Sequence, residues 1–157
     1  MTGSTTLSIS TGIAERIRKH GAETYPHECC GALLGHDPDI DGERRRPREI
    51  LDCLALLNRR DDSPNNRFSI APLDVIEADR VAQAQGMELI GWYHSHPDHP
   101  PKPSEYDRNH AWPWFSYIIV SVRAGVPAEM TSWRLNDDRS EYSQEVIEIC
   151  SKAAAQS

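Results

Sequence analysis

The chain has 157 residues, of which 38% are hydrophobic and 26% charged, and its formal net charge is -7 at pH 7. This length is enough for a single domain spanning 1–157, with one core at about residues 5–150 and short disordered termini. The acidic balance argues against a general affinity for nucleic acid or for an anionic membrane, since both call for a basic surface. The four cysteines form no CxxC pair and no apolar leader is evident, so we expect a cytoplasmic, reduced protein.

The first half of the chain alternates short apolar runs with polar loops. Cys29 and Cys30 fall in one of these runs and are expected to pack as small core residues. The basic run at 43–49 is interpreted as a solvated loop, with a docking patch for an acidic carrier protein as the alternative. The loop at 60–66 is a candidate substrate-facing insertion. The pattern predicts a strand at 5–9, a helix from Thr11 to Thr24, and strands at Cys29–Leu34 and about 49–57.

The second half predicts a sheet with two more helices. Trp92, Trp112 and Trp114 are interpreted as core residues. The strands at Phe115–Val122 and Tyr142–Ile149 are each a candidate edge for dimerisation. Together the elements predict an α/β (α+β) domain, a curved mixed sheet flanked by helices. The remaining predictions are strands at Phe68–Ile70, Met87–His94 and Glu129–Leu135, and helices from Pro72 to about Gln85 and from Ser104 to about His110.

The stretch from Gly91 to Asp107, GWYHSHPDHPPKPSEYD, has the clearest chemical pattern. His94 and His96 are two residues apart, so on a strand both rings leave the same face and can reach one metal ion. Ser104 and Asp107 follow in the first turn of the next predicted helix. Two imidazole nitrogens and one carboxylate oxygen form a donor set found in catalytic zinc sites, which leave a fourth position open. The sequence therefore predicts that His94, His96 and Asp107 bind zinc.

A zinc hydrolase also needs a base for the attacking water, and no carboxylate inside this stretch is well placed. Glu105 is two residues from Asp107 and points to a different face of a helix. Glu28, in YPHECCGALLG, stands at the start of a buried strand and is the candidate base. The alternative is that Glu28 hydrogen-bonds a helix N-terminus. Ser104 is the candidate hydroxyl donor to the oxyanion.

The whole pattern resembles the signature of the JAMM (MPN+) metalloprotease family, in Glu28, HSHP at 94–97, PS at 103–104 and Asp107. This resemblance implies a cytidine-deaminase-like MPN/JAMM fold. It also implies zinc bound by His94, His96 and Asp107, Glu28 as general base, and Ser104 as the residue that stabilises the tetrahedral intermediate.

The small size and the HECCGALLG segment are similar to free-standing prokaryotic members of the Mec type. Those members cleave after the C-terminal Gly-Gly of ubiquitin-like or sulfur-carrier proteins. The resemblance thus implies a zinc-dependent peptidase or isopeptidase whose partner is such a carrier protein, with no nucleic-acid or membrane partner. A homodimer remains open.

Two other functions are compatible with the pattern. A RadC-like, DNA-associated protein has a similar HxH, S, D arrangement, but the acidic charge counts against it. A non-catalytic MPN interaction scaffold is the second, and the intact ligand set counts against that one.

The sequence also predicts roles for three other residues in or near this stretch. His99 and His110 are alternative ligands by residue type, and His110 could instead orient Asp107. Ser95 alternates away from the ligands and is expected to make a backbone hydrogen bond that steadies the neighbouring loop.

Overall fold

The computed structural model describes residues 6–38, 47–57, 70–109 and 111–150, and this part of the chain forms three helices and seven strands. The helices are α1 Thr11–Thr24, α2 Pro72–Ala84 and α3 Glu105–Asn109. The strands are β1 Thr6–Ser10, β2 Cys30–His36, β3 Arg48–Leu56, β4 Glu88–Pro97, β5 Ser116–Arg123, β6 Val126–Leu135 and β7 Tyr142–Cys150.

The strands form one mixed sheet in the order β1-β3-β2-β4-β5-β6-β7, which closes into a barrel through β1. Strand β1 runs parallel to both β3 and β7, and β4 runs parallel to β5, while the other neighbours are antiparallel. The predicted α/β (α+β) class, with a curved mixed sheet flanked by helices, is confirmed. The closure of that sheet is not a feature that we predicted.

The two strands proposed as dimerisation edges are paired within the barrel. Strand β5 pairs with β4 on one side and with β6 on the other, so the prediction of an edge there is wrong. Strand β7 pairs with β6 over Tyr142–Glu145 and with β1 over Val146–Cys150, so it offers no full-length edge.

The two long helices cover opposite faces of the sheet. Ser10 caps α1 by accepting a hydrogen bond from the Ile13 N–H at 3.2 Å, and the helix buries Ile13 and Ile17 against one face. Helix α2 begins with Pro72, whose missing N–H costs nothing in a first turn, and buries Ala78 and Ala82 against the other face. No helix among the described residues combines the length and the apolar content that crossing a bilayer requires.

The buried thiols behave as core groups. Cys29, Cys30 and Cys53 are buried in the sheet, and burial raises the pKa of Cys29 to about 12 and that of Cys53 to about 11. A thiol with such a pKa is almost wholly protonated near neutral pH and is a poor nucleophile. The expectation that Cys29 and Cys30 pack as small core residues is confirmed.

Several boundaries differ from the predicted ones, and two predicted segments lie partly or wholly outside the described residues. Strand β4 continues past His94 to Pro97, so both histidines of the HxH pair lie within it. Ile70 is described but is not in a strand, whereas residues 68 and 69 of that predicted strand lie outside the described residues. The loop at 60–66 lies entirely outside them.

Two of the three tryptophans predicted as core are half exposed. Trp92 is fully buried, but Trp112 and Trp114 keep 50% and 42% of their surface. Phe115 packs edge-on against Trp92, and the rings of Trp112 and Trp114 contact Phe115 from the exposed side. The core prediction is therefore wrong for Trp112 and Trp114.

The last arginine of the basic run is part of the interior. Arg48 is 1% exposed, and its Nε donates to Asp37 Oδ2 at 3.1 Å while Nη1 donates to Ser116 Oγ at 2.9 Å. Its guanidinium also lies 4.1 Å from the ring centroid of Trp114. The solvated-loop interpretation is therefore wrong at Arg48, and residues 43–46 lie outside the described residues.

Gly91 is where β4 and β5 approach most tightly, and it supplies a test of this packing. A Cβ there would overlap the backbone carbonyl of Ser116, whereas a Cβ at Gly12 on α1 would meet nothing closer than 4.0 Å. We expect Gly91→Ala to lower the free energy of unfolding by about 1–3 kcal/mol or more. The matched change Gly12→Ala should raise it by about 0.5–1 kcal/mol. Denaturant unfolding measures both, and a Gly91→Ala protein as stable as the parent would contradict the register.

Candidate metal centre

Strand β4 carries the two histidines of the centre. It pairs with β2 on one side and with β5 on the other, and its residues 89–97 are buried. Because side chains alternate along a strand, His94 and His96 share one face while Tyr93 and Ser95 point to the face that packs on α1. Both imidazoles are nearly buried, at 1% and 8% exposure.

Asp107 on α3 completes a triangle of donor atoms. The Nε2 atoms of His94 and His96 are 3.1 Å apart, and Asp107 Oδ2 lies 3.4 Å from the first and 3.3 Å from the second. Ligands at about 2.0–2.1 Å from a tetrahedral zinc ion are separated by about 3.3 Å, the edge of the tetrahedron. The observed triangle therefore has the size that such an ion requires.

A hydrogen bond sets the tautomer of His96. Its Nδ1 lies 2.8 Å from the carbonyl oxygen of Pro100. A carbonyl only accepts, so Nδ1 carries the proton and Nε2 presents its lone pair to the triangle. This arrangement leaves His96 ready to bind a metal ion through Nε2.

The charge states also suit a cation. Burial lowers the pKa of His94, which favours the neutral imidazole that a metal ion needs. Burial acts to raise the pKa of Asp107, but the two imidazoles that face its Oδ2 and the Ser104 N–H that donates to it together hold that pKa well below its usual range. The triangle thus offers an ionised carboxylate beside two imidazole nitrogens.

Ser104 and Asp107 begin helix α3 as a reciprocal pair. The Asp107 N–H donates to Ser104 Oγ at 3.0 Å, and the Ser104 N–H donates to Asp107 Oδ2 at 2.9 Å. This is a capping box, in which each side chain satisfies a backbone donor of the first turn. The Ser104 hydroxyl accepts in this pair, so its own hydrogen is available to a group outside the helix. Ser104 is exposed at the rim of the centre.

Glu28 lies on the chain that enters β2, beside β4. Cys30 is paired with His94, and the ladder continues because the Cys29 N–H donates to Ser95 Oγ at 2.8 Å and the Ser95 N–H donates to the Cys29 carbonyl at 3.2 Å. Extending this register by one residue places Glu28 level with His96. Glu28 is 4% exposed. The predicted hydrogen bond of Ser95 to a neighbouring backbone is confirmed.

A second contact ties the segment before Glu28 to the metal-binding stretch. The Tyr25 hydroxyl donates to Asp98 Oδ2 at 2.5 Å, and Asp98 Oδ1 accepts from the Ala124 N–H at 2.7 Å. Nothing in the linear spacing of these residues predicts the contact, because it joins positions 73 residues apart.

An open groove of about 710 Å³ runs beside Glu28. None of His94, His96 and Asp107 lines it, and Glu28 is the candidate catalytic residue in its wall. Its walls are polar toward α1 and apolar toward β3, where Leu57 is 71% exposed. The lining residues include His20, Tyr25, Pro26, Glu28, Leu56 and Leu57.

Of the two alternative ligands, His99 is not part of the triangle. Within the described residues, the group able to hold a metal ion consists of His94, His96 and Asp107, whose donor atoms lie within 4.8 Å of one another. His99 is exposed in the proline loop. His110, with its expected role toward Asp107, lies outside the described residues.

Comparison with known proteins identifies related chains. Residues 10–136 match the family described as prokaryotic homologs of the JAB domain. A desampylase from Haloferax volcanii is 28% identical over 123 residues, which are 75% of this chain and 82% of that protein. A probable TtuB-protein conjugate cleaving protease from Thermus thermophilus is 28% identical over 116 residues, 74% of this chain and 70% of its own length. A solution structure of a protein from Salinibacter ruber is 41% identical, with a TM-score of 0.69 and 92% of each chain covered.

The family match spans well over half of the chain, from residue 10 to residue 136. It includes Glu28, both histidines of β4, Ser104 and Asp107. The chain therefore belongs to the prokaryotic JAB domain family, which confirms its resemblance to the JAMM hydrolases.

Proposed function

We propose that the chain is a zinc-dependent peptidase or isopeptidase that hydrolyses the bond after the C-terminal Gly-Gly of a ubiquitin-like or sulfur-carrier protein. The observation that carries this proposal is the buried His94–His96–Asp107 triangle with Glu28 just before the adjacent strand β2. A relative named as a TtuB-protein conjugate cleaving protease supports a protein conjugate as the substrate class. The proposal includes a cytoplasmic location, where the buried thiols stay reduced.

Zinc fits the donor set better than the harder divalent cations do. Magnesium and calcium prefer sites made wholly of oxygen, whereas His94 and His96 offer two nitrogens and Asp107 one oxygen. Three protein ligands leave a fourth tetrahedral position free, as in catalytic zinc sites. When bound, zinc would act as a Lewis acid toward a carbonyl and lower the pKa of water.

In this proposal Glu28 takes the proton from the attacking water and returns it to the leaving amine. Its carboxylate is buried, and its place in the register is level with His96. A carboxylate held within reach of the attacking water can act as its general base. The hydrogen bonds between Cys29 and Ser95 hold the adjacent backbone in place.

Ser104 supplies a hydrogen bond to the oxygen of the attacked carbonyl. Its oxygen accepts from the Asp107 N–H, which fixes the side chain and leaves the hydroxyl hydrogen to donate. Such a donor acts most strongly when negative charge develops on that oxygen. Its attachment to the helix that carries Asp107 keeps it beside the metal centre.

The groove beside Glu28 suits an extended tail. Strand β3 pairs with β1 only over residues 48–50, so within the described residues no strand pairs with its second edge from Leu51 to Leu56, and Leu56 lines this groove. The Arg16 side chain binds the Cys53 carbonyl on that edge at 2.9 Å, which leaves the portion nearest Glu28 for strand addition by a peptide. Glycine is expected at the cleavage point, because a chain without Cβ passes closest to the catalytic groups.

The function is tested with a Gly-Gly-terminated ubiquitin-like protein extended by one residue through a peptide bond, and with the same protein joined to a lysine side chain. Intact mass should show cleavage after the second glycine, abolished by a chelator and restored by zinc. Glu28→Gln should keep one zinc per chain and lose turnover by about 10²–10⁴-fold. Glu15→Gln, which alters an exposed carboxylate on α1 outside the groove, should change little. Cleavage that survives the chelator, or an active Glu28→Gln enzyme, would contradict the proposal.

The role of Ser104 predicts a separate result. Ser104→Ala should lower kcat by about 10²–10³-fold, with a smaller change in KM, because the lost hydrogen bond strengthens only as the reaction proceeds. Ser104→Thr keeps both the hydroxyl and the capping oxygen and should retain most of the activity. Steady-state kinetics on the extended substrate measures both variants. Equal losses for alanine and threonine would indicate that the hydroxyl has no role in turnover.

A further inference from the structure

Three consecutive carbonyl groups in the loop between β4 and α3 each accept a hydrogen bond from a side chain on a different strand. Ser121 Oγ on β5 donates to the His99 carbonyl at 2.7 Å. His96 Nδ1 on β4 donates to the Pro100 carbonyl at 2.8 Å. Thr131 Oγ1 on β6 donates to the Pro101 carbonyl at 2.5 Å. The loop is thus held at three successive peptide groups by three adjacent strands.

The composition of this loop explains why side chains hold it. Prolines at 100, 101 and 103 have no backbone N–H, so the segment cannot join a ladder as a regular strand. Its carbonyl groups still require donors, especially at Pro101, which is buried. Hydroxyl groups on β5 and β6 meet that need.

The direction of the bond from Thr131 is fixed by Trp133. The indole Nε1–H of Trp133 lies 2.8 Å from Thr131 Oγ1, and an indole nitrogen only donates. Thr131 therefore accepts from Trp133 and gives its single hydrogen to the Pro101 carbonyl. Ser121, which is fully buried, likewise faces a carbonyl and must donate.

From these contacts we infer that Ser121 and Thr131 are positioning residues for the metal ligand His96, acting through the Pro100 carbonyl. Anchoring the carbonyls before and after Pro100 fixes the peptide planes on both sides of it. The Pro100 carbonyl is then held toward His96 Nδ1, which keeps the imidazole in one tautomer and one orientation. Neither hydroxyl belongs to the motif or to the donor triangle.

This inference rests on the metal-binding part of the proposed function and not on the peptidase chemistry. The zinc content of the parent protein is therefore measured first. A parent protein without zinc affinity would overturn the proposed function, whereas a zinc-binding parent whose variants match it would overturn only the inference about Ser121 and Thr131.

Metal-free protein is titrated with zinc in competition with a chelator, which measures its zinc affinity. The visible spectrum of the cobalt-substituted protein is recorded as a second readout. We expect Thr131→Val and Ser121→Ala each to weaken zinc binding by about tenfold or more and to alter the cobalt bands. Thr131→Ser, which restores the hydroxyl, should match the parent. Thr11→Val is the control, because the Thr11 hydroxyl also donates to a carbonyl, that of Cys150 at 3.2 Å, far from the centre.

Thermal unfolding of the metal-free proteins distinguishes a positioning role from a general loss of stability. If Ser121 and Thr131 position His96, their variants should lose zinc affinity even when their unfolding midpoint equals that of the Thr11→Val control. Trp133→Phe provides a further variant that keeps an aromatic ring and should weaken zinc binding in the same direction. Unchanged affinity in Thr131→Val and Ser121→Ala would overturn the inference, as would equal losses in Thr131→Val and Thr131→Ser. If those two variants do not fold, parent-like affinity in Trp133→Phe overturns it.

Discussion

The position of β4 between β2 and β5 is the constraint on which the centre depends. The strand is paired on both sides and buried on both faces, so its register is strongly specified. If the pairing register of β4 shifted by one residue, His94 and His96 would face α1 and Ser95 would face the centre instead. The same pairing brings the backbone of Cys29 against Ser95. Glu28, the residue before Cys29, is thereby held beside β4. A single strand therefore sets both histidines of the centre and the position of the candidate base.

The span from His96 to Asp107 completes the centre by local means. Prolines limit the conformations of the loop before folding, and its carbonyls accept from donors on three strands. Asp107 then serves two purposes with one oxygen, because Oδ2 accepts the Ser104 N–H and also faces both histidines. A buried, ionised carboxylate beside two imidazole nitrogens is an environment that a bound cation stabilises.

Features set by local spacing were predictable from the sequence, and features set by distant pairing were not. The helix at Thr11–Thr24 agrees with the structure residue for residue, and the two-residue spacing of His94 and His96 placed them on one face. Closure of the barrel joins β1 to β7 across most of the chain, and no local pattern encodes that contact. Arg48 looked like a loop residue because its partners come from other segments of the chain. The anchoring hydroxyls of Ser121 and Thr131 lie within ordinary strand sequence, so no spacing singles them out.

We expect His94, His96 and Asp107 together to bind one zinc ion, and a crystal structure of the zinc-loaded protein with anomalous data at the zinc edge is the decisive experiment. It should show a single strong site, with zinc about 2.0–2.2 Å from Nε2 of each histidine and from the Asp107 carboxylate. An ion bound elsewhere in the molecule, or no ion at this centre in protein exposed to excess zinc, would contradict it.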